Sequence, residues 1–534
     1  MTIVNINSSH IFVQCSDMKG ALLGGKFIAS KNLWRLPHNL GALRDLKAQG
    51  YDVDAHMKKL QLNFERMVDS KTANMDVTYP KLRDYQNADV NFLLTRSAFG
   101  IFSEQRTGKT PTTCTMLGQR AVKTIVVVPT SLLYDWKSQI EAWAGMEAIV
   151  VNGTPAKRKK IYQHFHETTD KPIALVISKG VATKDINILQ SVDYEAVVID
   201  EAHFLRNYRT SQSEAMYKLG KYATYRYALT GTPASNKPDD IFGVLKFLYP
   251  ERFTSYWDFV DRYFSIDDGH FGKKVSDKFK TVSRKKEYYE MMEQYAIQRK
   301  RSEVMKWLQG KQKQVVELEM ESKQRKAYES MAKTFIATKA DGTELDAPTV
   351  LAQMTRLRQL SLAPSSVGVD AGSAKQDYVM DWLENNGKEP VVIFSNYTSY
   401  LVELYELVKK KKHKVALITG EQTPEERQEA TNKFQGGKLM VLLCNIEAAG
   451  VGLTLDRAET SIFLDRHYNP TWNAQAEDRI VATTPESPQG AFIIDLVCKD
   501  SIDGYIHEMV ENKIDITKIV NNFSDLRKIA LGGK

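Results

Sequence analysis

Two stretches of this chain alternate short, wholly apolar runs with longer segments of helical period. The first holds Thr124–Pro129, Ile173–Ser178, Ala196–Asp200 and Tyr227–Thr230. The second holds Val391–Ser395, Val415–Ile418, Leu439–Leu443, Ser461–Asp465 and Phe492–Leu496. A strand with one wet face alternates apolar and polar residues. These runs do not alternate, so they predict strands covered on both faces, in parallel sheets with helices between them. Between about 251 and 365 the pattern is helical and charged, with no clear strand set. Near the N-terminus, Leu23–Phe27 and Leu33–Pro37 flank a Ser30-Lys31-Asn32 turn and are followed by a helical Leu40–Leu46. The expected organisation is α/β: two lobes at 76–250 and 371–534, a helical insertion or linker at 251–370, and a small α+β module at 1–75.

At 534 residues the chain has room for roughly three or four domains. Its 43% hydrophobic and 26% charged content is that of a globular protein. No apolar run approaches the roughly 20 residues of a membrane span, which speaks against a membrane partner. The opening Met1-Thr-Ile-Val-Asn-Ile-Asn7 lacks the charged and apolar regions of a signal peptide. Cys15, Cys114, Cys444 and Cys498 are too dispersed for a disulfide framework or a metal-ligand pair. The net charge of +8 permits a polyanionic partner without requiring one. The run Lys409–Lys414 lies between a helix pattern and a strand, where a solvated helix end is the simpler reading.

Chemistry enters with Val197–His203. A buried apolar run there ends in the adjacent carboxylates Asp200 and Glu201, then Ala202 and His203. At a strand tip, one carboxylate serves the Mg²⁺ hydration shell and the next orients and deprotonates an attacking water. Upstream, Thr107-Gly108-Lys109-Thr110 follows an apolar strand, Ser97–Ser103, and opens a helix pattern, the context of a phosphate loop. Lys109 then reaches the β- and γ-phosphates of a bound ATP and Thr110 ligates Mg²⁺. Pro111 falls in the first helical turn, where its missing N–H costs nothing. Ser103 and Arg106 stand where such loops usually carry glycine. Arg83 and Gln86 precede the loop, and the Gln86 amide offers the donor and acceptor that match an adenine edge. Thr230 and Thr232 follow another strand tip. The second lobe carries Gly450 and Gly452, then Asn469-Pro470, Gln475 and Arg479. An arginine placed there is suited to neutralise transition-state charge.

In order, from about residue 79 to 500, these segments resemble the motifs of superfamily-two helicase-like motors of the Swi/Snf ATPase family. Motif I is Thr107–Thr110, motif Ia runs from Val126 through Trp136, and motif II is Asp200–His203 extended to Asn207. Motif III is Leu229–Pro233, motif IV Val392–Ser395, motif V Glu447–Leu455 and motif VI Asn469–Arg479. Arg299-Lys-Arg301 and Leu357–Pro364 resemble the family's central marks. Ala449-Gly450-Val-Gly452-Leu-Thr-Leu455 is most similar to the annealing-helicase branch, and the N-terminal segment resembles the HARP-like module of those enzymes. Alanine at 482 departs from the family's second motif VI arginine, leaving Arg479 and Arg466 to take the finger's role.

The resemblance implies two RecA-like lobes of the P-loop NTPase type, with ATP and Mg²⁺ as cofactors. It implies an ATP-dependent translocase on double-stranded or branched DNA, acting as a monomeric motor in repair, replication or recombination. Asp200, Glu201, Lys109, Gln475 and Arg479 carry the chemistry. Arg83, Gln86, Thr107, Gly108, Lys109, Thr110, Gly450 and Gly452 line the nucleotide. Lys26, Trp34, Arg35, Thr230, Thr232 and Asn396 are the expected DNA contacts. For Trp34 a place in the core of a small module is an equally good reading. A strand-separating DNA or RNA helicase and a weakly hydrolysing, ATP-gated DNA-binding factor are the rival functions. The place implied is cytoplasmic in a bacterial or viral setting and nuclear in a eukaryotic one.

Overall fold

The computed structural model describes residues 2–6, 10–14, 26–62, 77–233, 237–269, 272–308, 310–449, 453–481, 490–512 and 529–531. The chain divides into two compact units, Met1–Val304 and Met305–Lys534.

The first unit is built on a seven-stranded sheet. Its order is Ala296–Ile297, Ala98–Ile101, Tyr225–Leu229, Ala196–Ile199, Thr124–Val128, Ile173–Ser178 and Glu147–Val150. Every pairing is parallel. The central strands are buried along their whole length, as their unbroken apolar runs require. The second unit holds a six-stranded parallel sheet. Its order is Gln312–Leu318, Phe492–Cys498, Thr460–Phe463, Val391–Ser395, Val441–Asn445 and Val415–Ile418. Helices alternate with strands in both, giving the two RecA-like α/β lobes expected from the sequence.

The stretch 251–365 is more than helical. Helices Tyr256–Tyr263, Val282–Tyr295, Ser322–Thr334 and Val350–Leu362 fit the expectation. A hairpin, Phe264–Gly269 with Gly272–Phe279, does not. Ala296–Ile297 extends the first sheet and Gln312–Leu318 edges the second, so this stretch is divided between the units rather than standing apart. Residues 312–318 are largely exposed, so their strand carries no apolar signature.

The N-terminal module is a four-stranded antiparallel sheet, in the order Thr2–Ile6, His10–Gln14, Leu33–Pro37 and Lys26–Ile28, followed by helix Leu40–Ala48. The turn after Lys26–Ile28 closes at Asn32, with φ of 50°. Trp34, Ile11, Val13, Leu36, Leu43 and Leu46 form its core. The module is also fastened to the rest of the first unit. Glu287 is buried and receives hydrogen bonds from Asn39 (2.7 Å), Arg262 (2.9 Å to Oε2) and Arg284 (2.7 Å). Asp45 pairs with Arg284 at 2.6 Å, and Arg44 pairs with Glu290 at 2.9 Å. Gly41 sits so close that a Cβ there would lie 2.1 Å from Glu287 Cδ.

Candidate functional site: the strand tips of the first unit

Parallel strands gather their C-terminal ends along one edge, where a ligand meets loops and helix N-termini. Three neighbouring strands of the first unit end level. Leu229 pairs with Ile101 and Ala228 with Ile199. Their next residues are Phe102, Thr230 and Asp200, so the phosphate-loop, Thr-Gly-Thr and Asp-Glu segments leave the sheet side by side.

The loop after Ile101 turns into helix Lys109–Arg120. Gly108 caps that helix in the left-handed region, φ 76°, and a Cβ there would sit 1.9 Å from Gln86 Nε2. Only glycine suits both constraints. Lys109 Nζ donates to the carbonyls of Ser103 (2.9 Å) and Glu104 (3.1 Å), within its own loop. Thr107 donates from Oγ1 to Glu104 O at 2.7 Å and is buried, while Thr110 lies half-buried in the first turn. Arg106 holds φ of 66°, a conformation glycine adopts freely and other residues rarely do.

Gln86 lies in helix Asp84–Leu94, with Arg83 at its N-cap. Gln86 Oε1 accepts from Arg83 N–H at 2.9 Å, and the Tyr85 hydroxyl donates to Thr107 O at 2.9 Å. This helix start therefore rests on the phosphate loop. The segment 296–301 braces it from the other side. Phe102 N–H donates to Ile297 O (2.8 Å) and Glu104 N–H to Arg299 O (2.9 Å). Arg299 N–H donates to Ser103 Oγ at 3.1 Å, and its guanidinium holds Asp89 at 3.1 Å through Nε. Ser103 thus replaces glycine because its hydroxyl is a needed acceptor.

Asp200 is buried. Its Oδ2 accepts from Trp136 Nε1 at 2.8 Å and its Oδ1 from Glu201 N–H at 2.8 Å. Burial, and then the neighbouring Glu201 charge, raise its pKa above the usual carboxylate range, with Trp136 and Lys109 opposing. A buried carboxylate so disfavoured as an anion suits a cation beside it. Glu201 carries φ of 49°, a strained backbone for a side chain of its kind. Its Oε2 lies 3.1 Å from His203 Nδ1, and that nitrogen is 3.5 Å from Thr230 Oγ1. The chain Glu201–His203–Thr230 links two strand tips. Asp89 and Tyr85 drew no role from the sequence, and Trp136, Ser103 and Arg299 lay in segments it singled out without revealing these contacts.

The structure places several of the expected DNA contacts in buried or paired positions. Thr230 is fully buried, beside His203 on the carboxylate side of the site. Thr232 is half-buried and its N–H donates to Thr230 Oγ1 at 3.1 Å. Trp34 is 9% exposed and belongs to the module's core. Arg35 is held by Asp258 at 2.8 Å. Lys26 pairs with Arg35 across the sheet through the backbone, and its side chain lies outside the described residues.

In the second unit, Asn396 Nδ2 donates to Asp465 Oδ2 at 2.6 Å, and Arg358 reaches the same oxygen at 2.9 Å. These side chains anchor the end of strand Val391–Ser395 on Asp465. Gln475 is buried on helix Pro470–Asp478. Arg479, at that helix's C-cap, donates to Leu453 O at 3.2 Å, and its own carbonyl accepts from Leu455 N–H at 2.9 Å. Arg466 is buried and held by Asp495 (2.8 Å, Nη2 to Oδ2) and Glu477 (2.8 Å), which fixes it in the core. Gly450, Gly452 and Ala482 lie outside the described residues. No helix among the described residues is long and apolar enough to cross a membrane, and no cluster of three or more metal-ligating side chains occurs among them.

Comparison with known proteins agrees with this geometry. A family model described as SNF2-related domain matches residues 38–366, and one described as helicase conserved C-terminal domain matches 374–482. The human DNA annealing helicase and endonuclease ZRANB3 is 26% identical over 408 residues, covering 74% of this chain and 36% of that protein. An uncharacterized ATP-dependent helicase of Mycoplasma pneumoniae is 25% identical over 441 residues, covering 79% of this chain and 40% of that protein. The SWI/SNF-related matrix-associated actin-dependent regulator of chromatin subfamily A-like protein 1 of Xenopus tropicalis is 26% identical over 459 residues, covering 84% of this chain and 45% of that protein. The chain thus spans less than half the length of these relatives. Among solved structures, the Sulfolobus solfataricus SWI2/SNF2 ATPase core in complex with dsDNA aligns at a TM-score of 0.39 and 20% identity, covering 86% of this chain and 98% of that one. With the family match extending over most of its length, the chain belongs to the SNF2-related family of helicase-like ATPases and carries that family's ATPase domain together with its helicase C-terminal domain.

Proposed function

We propose that this protein is an ATP-dependent translocase on double-stranded or branched DNA, of the annealing-helicase kind. The observation that carries the ATPase part is the convergence of Lys109, Asp200–Glu201 and Thr230 on level strand tips in one sheet. Lys109 exchanges the Ser103 and Glu104 carbonyls for the phosphates of ATP. Asp200 and Thr110 are the residues to hold Mg²⁺, which supplies charge neutralisation at the phosphates. Glu201 accepts the proton of the attacking water, and His203 passes its state to Thr230. Gln86 reads the adenine edge once it leaves its capping bond. Arg479 is the arginine left to stabilise transition-state charge.

The DNA part is supported by the family and by the curated relatives named as DNA annealing helicases. Ser103 has a structural reason to be there, which removes one argument for a weakly hydrolysing factor. With DNA as its partner, the place we expect for the protein is the cytoplasm in a bacterial or viral setting and the nucleus in a eukaryotic one. The test is ATP turnover with no nucleic acid, single strands, duplex and forked DNA, beside displacement of a triplex-forming strand. Turnover is expected to rise with duplex or forked DNA and to fall steeply with salt. Triplex displacement without duplex unwinding supports a translocase. Efficient separation of a tailed duplex supports the strand-separating rival, and indifference to DNA ends the proposal.

A further inference from the structure

A cavity of about 610 Å³ opens where the N-terminal module meets the segment 252–266, within the first unit. It is well away in sequence from the strand tips described above, and its size falls within the roughly 300–1,000 Å³ of ligand clefts. Its walls are of two kinds. Phe27 and Trp257 are large aromatic side chains left 38% and 42% exposed. Phe27 comes from the module, where its ring leans on Trp34 with centroids 5.4 Å apart. Trp257 comes from helix Tyr256–Tyr263. Single apolar residues on a surface are ordinary. Two partly exposed aromatic side chains lining one cavity offer surfaces on which a base can stack.

The second kind of wall is charged: Asp258 and Asp261 line it beside three arginines, and Asp261 is paired with Lys280 at 2.9 Å. Arg35 is already neutralised by Asp258 at 2.8 Å, and Arg262 by Glu287. Arg252 differs. Its guanidinium donates to the Tyr295 hydroxyl at 2.7 Å, a neutral acceptor, and it forms no ion pair with a carboxylate among the described residues. A guanidinium fork with donors to spare suits a phosphate.

We propose that this cavity is a second nucleotide site, which takes a base against Phe27 or Trp257 and the attached phosphate at Arg252. The nucleotide comes from one of two sources, an unpaired residue of a DNA strand or a free nucleotide. The first source rests on the DNA reading above; the second does not.

The experiment uses the full chain and photochemical crosslinking. One probe is forked DNA with 5-iodouracil in its unpaired arm, and the other is 5-iododeoxyuridine monophosphate. Mass spectrometry locates the attached peptide, and the ratio of fork to duplex affinity is measured for Trp257→Ala, Trp257→Phe and Arg252→Gln. Attachment at Trp257 or Phe27, with that ratio falling about tenfold in Trp257→Ala and Arg252→Gln and largely restored in Trp257→Phe, is the expected result. Attachment by the fork alone assigns the strand as source. Attachment by the monophosphate alone assigns the free nucleotide. If the protein binds no DNA, the DNA reading falls and the monophosphate decides the cavity alone. Crosslinks only elsewhere, or none, with unchanged affinities in both alanine and glutamine variants, overturn the proposal.

Discussion

The indole N–H of Trp136 donates to Oδ2 of Asp200 at 2.8 Å, although the two residues are 64 apart in the sequence. With Glu201 N–H on the other oxygen, the carboxylate has a fixed orientation before any ligand arrives. Trp136 is itself buried, so the indole is a packed support and not a mobile arm.

Trp136→Phe keeps most of that packing and removes the donor. A hydrogen bond to a charged group contributes about 1.5–3 kcal/mol, so turnover is expected to drop about tenfold or more. The direction of the pH effect follows from the carboxylate. Burial and Glu201 already raise the Asp200 pKa, and the Trp136 bond opposes that rise. Removing the bond lets it climb further, so the acid limb of turnover against pH moves to higher pH. A profile superimposable on the parent's shows that Trp136 does not support the anion.

Glu201→Gln keeps the shape of the side chain and loses the proton acceptor. Nucleotide affinity is expected to stay near the parent's, while turnover falls by a factor on the order of 10²–10⁴. Lys109→Ala behaves in the opposite way and weakens nucleotide binding itself. Equilibrium binding and turnover, measured separately, distinguish the two. Parent-like hydrolysis by Glu201→Gln removes it as the base.

The sheets were legible because their strands are buried on both faces. Ile173–Ser178 and Val391–Ser395, buried throughout, match their apolar runs residue for residue. Strands without that burial were not. Ala296–Ile297 has two residues, too few for a periodic signal, and Gln312–Leu318 is an exposed edge. At the site, the residues that act on a ligand sat in recognisable spacings, as Lys109 and Asp200–Glu201 show. Their supports did not. Asp89 meets Arg299 across 210 residues, and no local pattern announces such a pair. The burial of Thr230 was not legible either, because a hydroxyl in a motif says nothing of its depth below the surface.

The Glu287 cluster ties the N-terminal module to the rest of the first unit. Glu287→Gln leaves Arg262 and Arg284 buried beside a neutral amide. Breaking such a buried pair costs about 3–5 kcal/mol. Glu290→Gln removes the partner of Arg44 at a more exposed position, where a pair contributes about 1 kcal/mol or less. Thermal unfolding should therefore show a large loss for Glu287→Gln and a small one for Glu290→Gln. Equal melting points for the two variants refute a docking role for the cluster. The same reasoning predicts that deleting residues 1–75 destabilises the first unit, since it strips Asn39 and Asp45 from these arginines.

Asp495 gives a pH-dependent counterpart in the second unit. Its carboxylate is held by Arg466 at 2.8 Å and lies 3.3 Å from His507 Nε2. Burial opposes ionisation there, yet the Arg466 charge and the bonds from His507 and Arg466 prevail, and its pKa is lowered from 3.8 to about 2. A carboxyl whose folded pKa lies below its unfolded value stabilises the fold fully above the unfolded value. That contribution is lost as pH falls through the window down to the folded value. Asp495→Asn is therefore expected to cost roughly 3–5 kcal/mol at pH 7, because Arg466 loses a buried partner. The gap between variant and parent should close as pH drops from about 4 toward 2, where the parent's own carboxyl becomes neutral. Urea unfolding of both proteins from pH 7 down to about 2 measures it. A gap of constant size at every pH means that Asp495 acts through shape and not through charge.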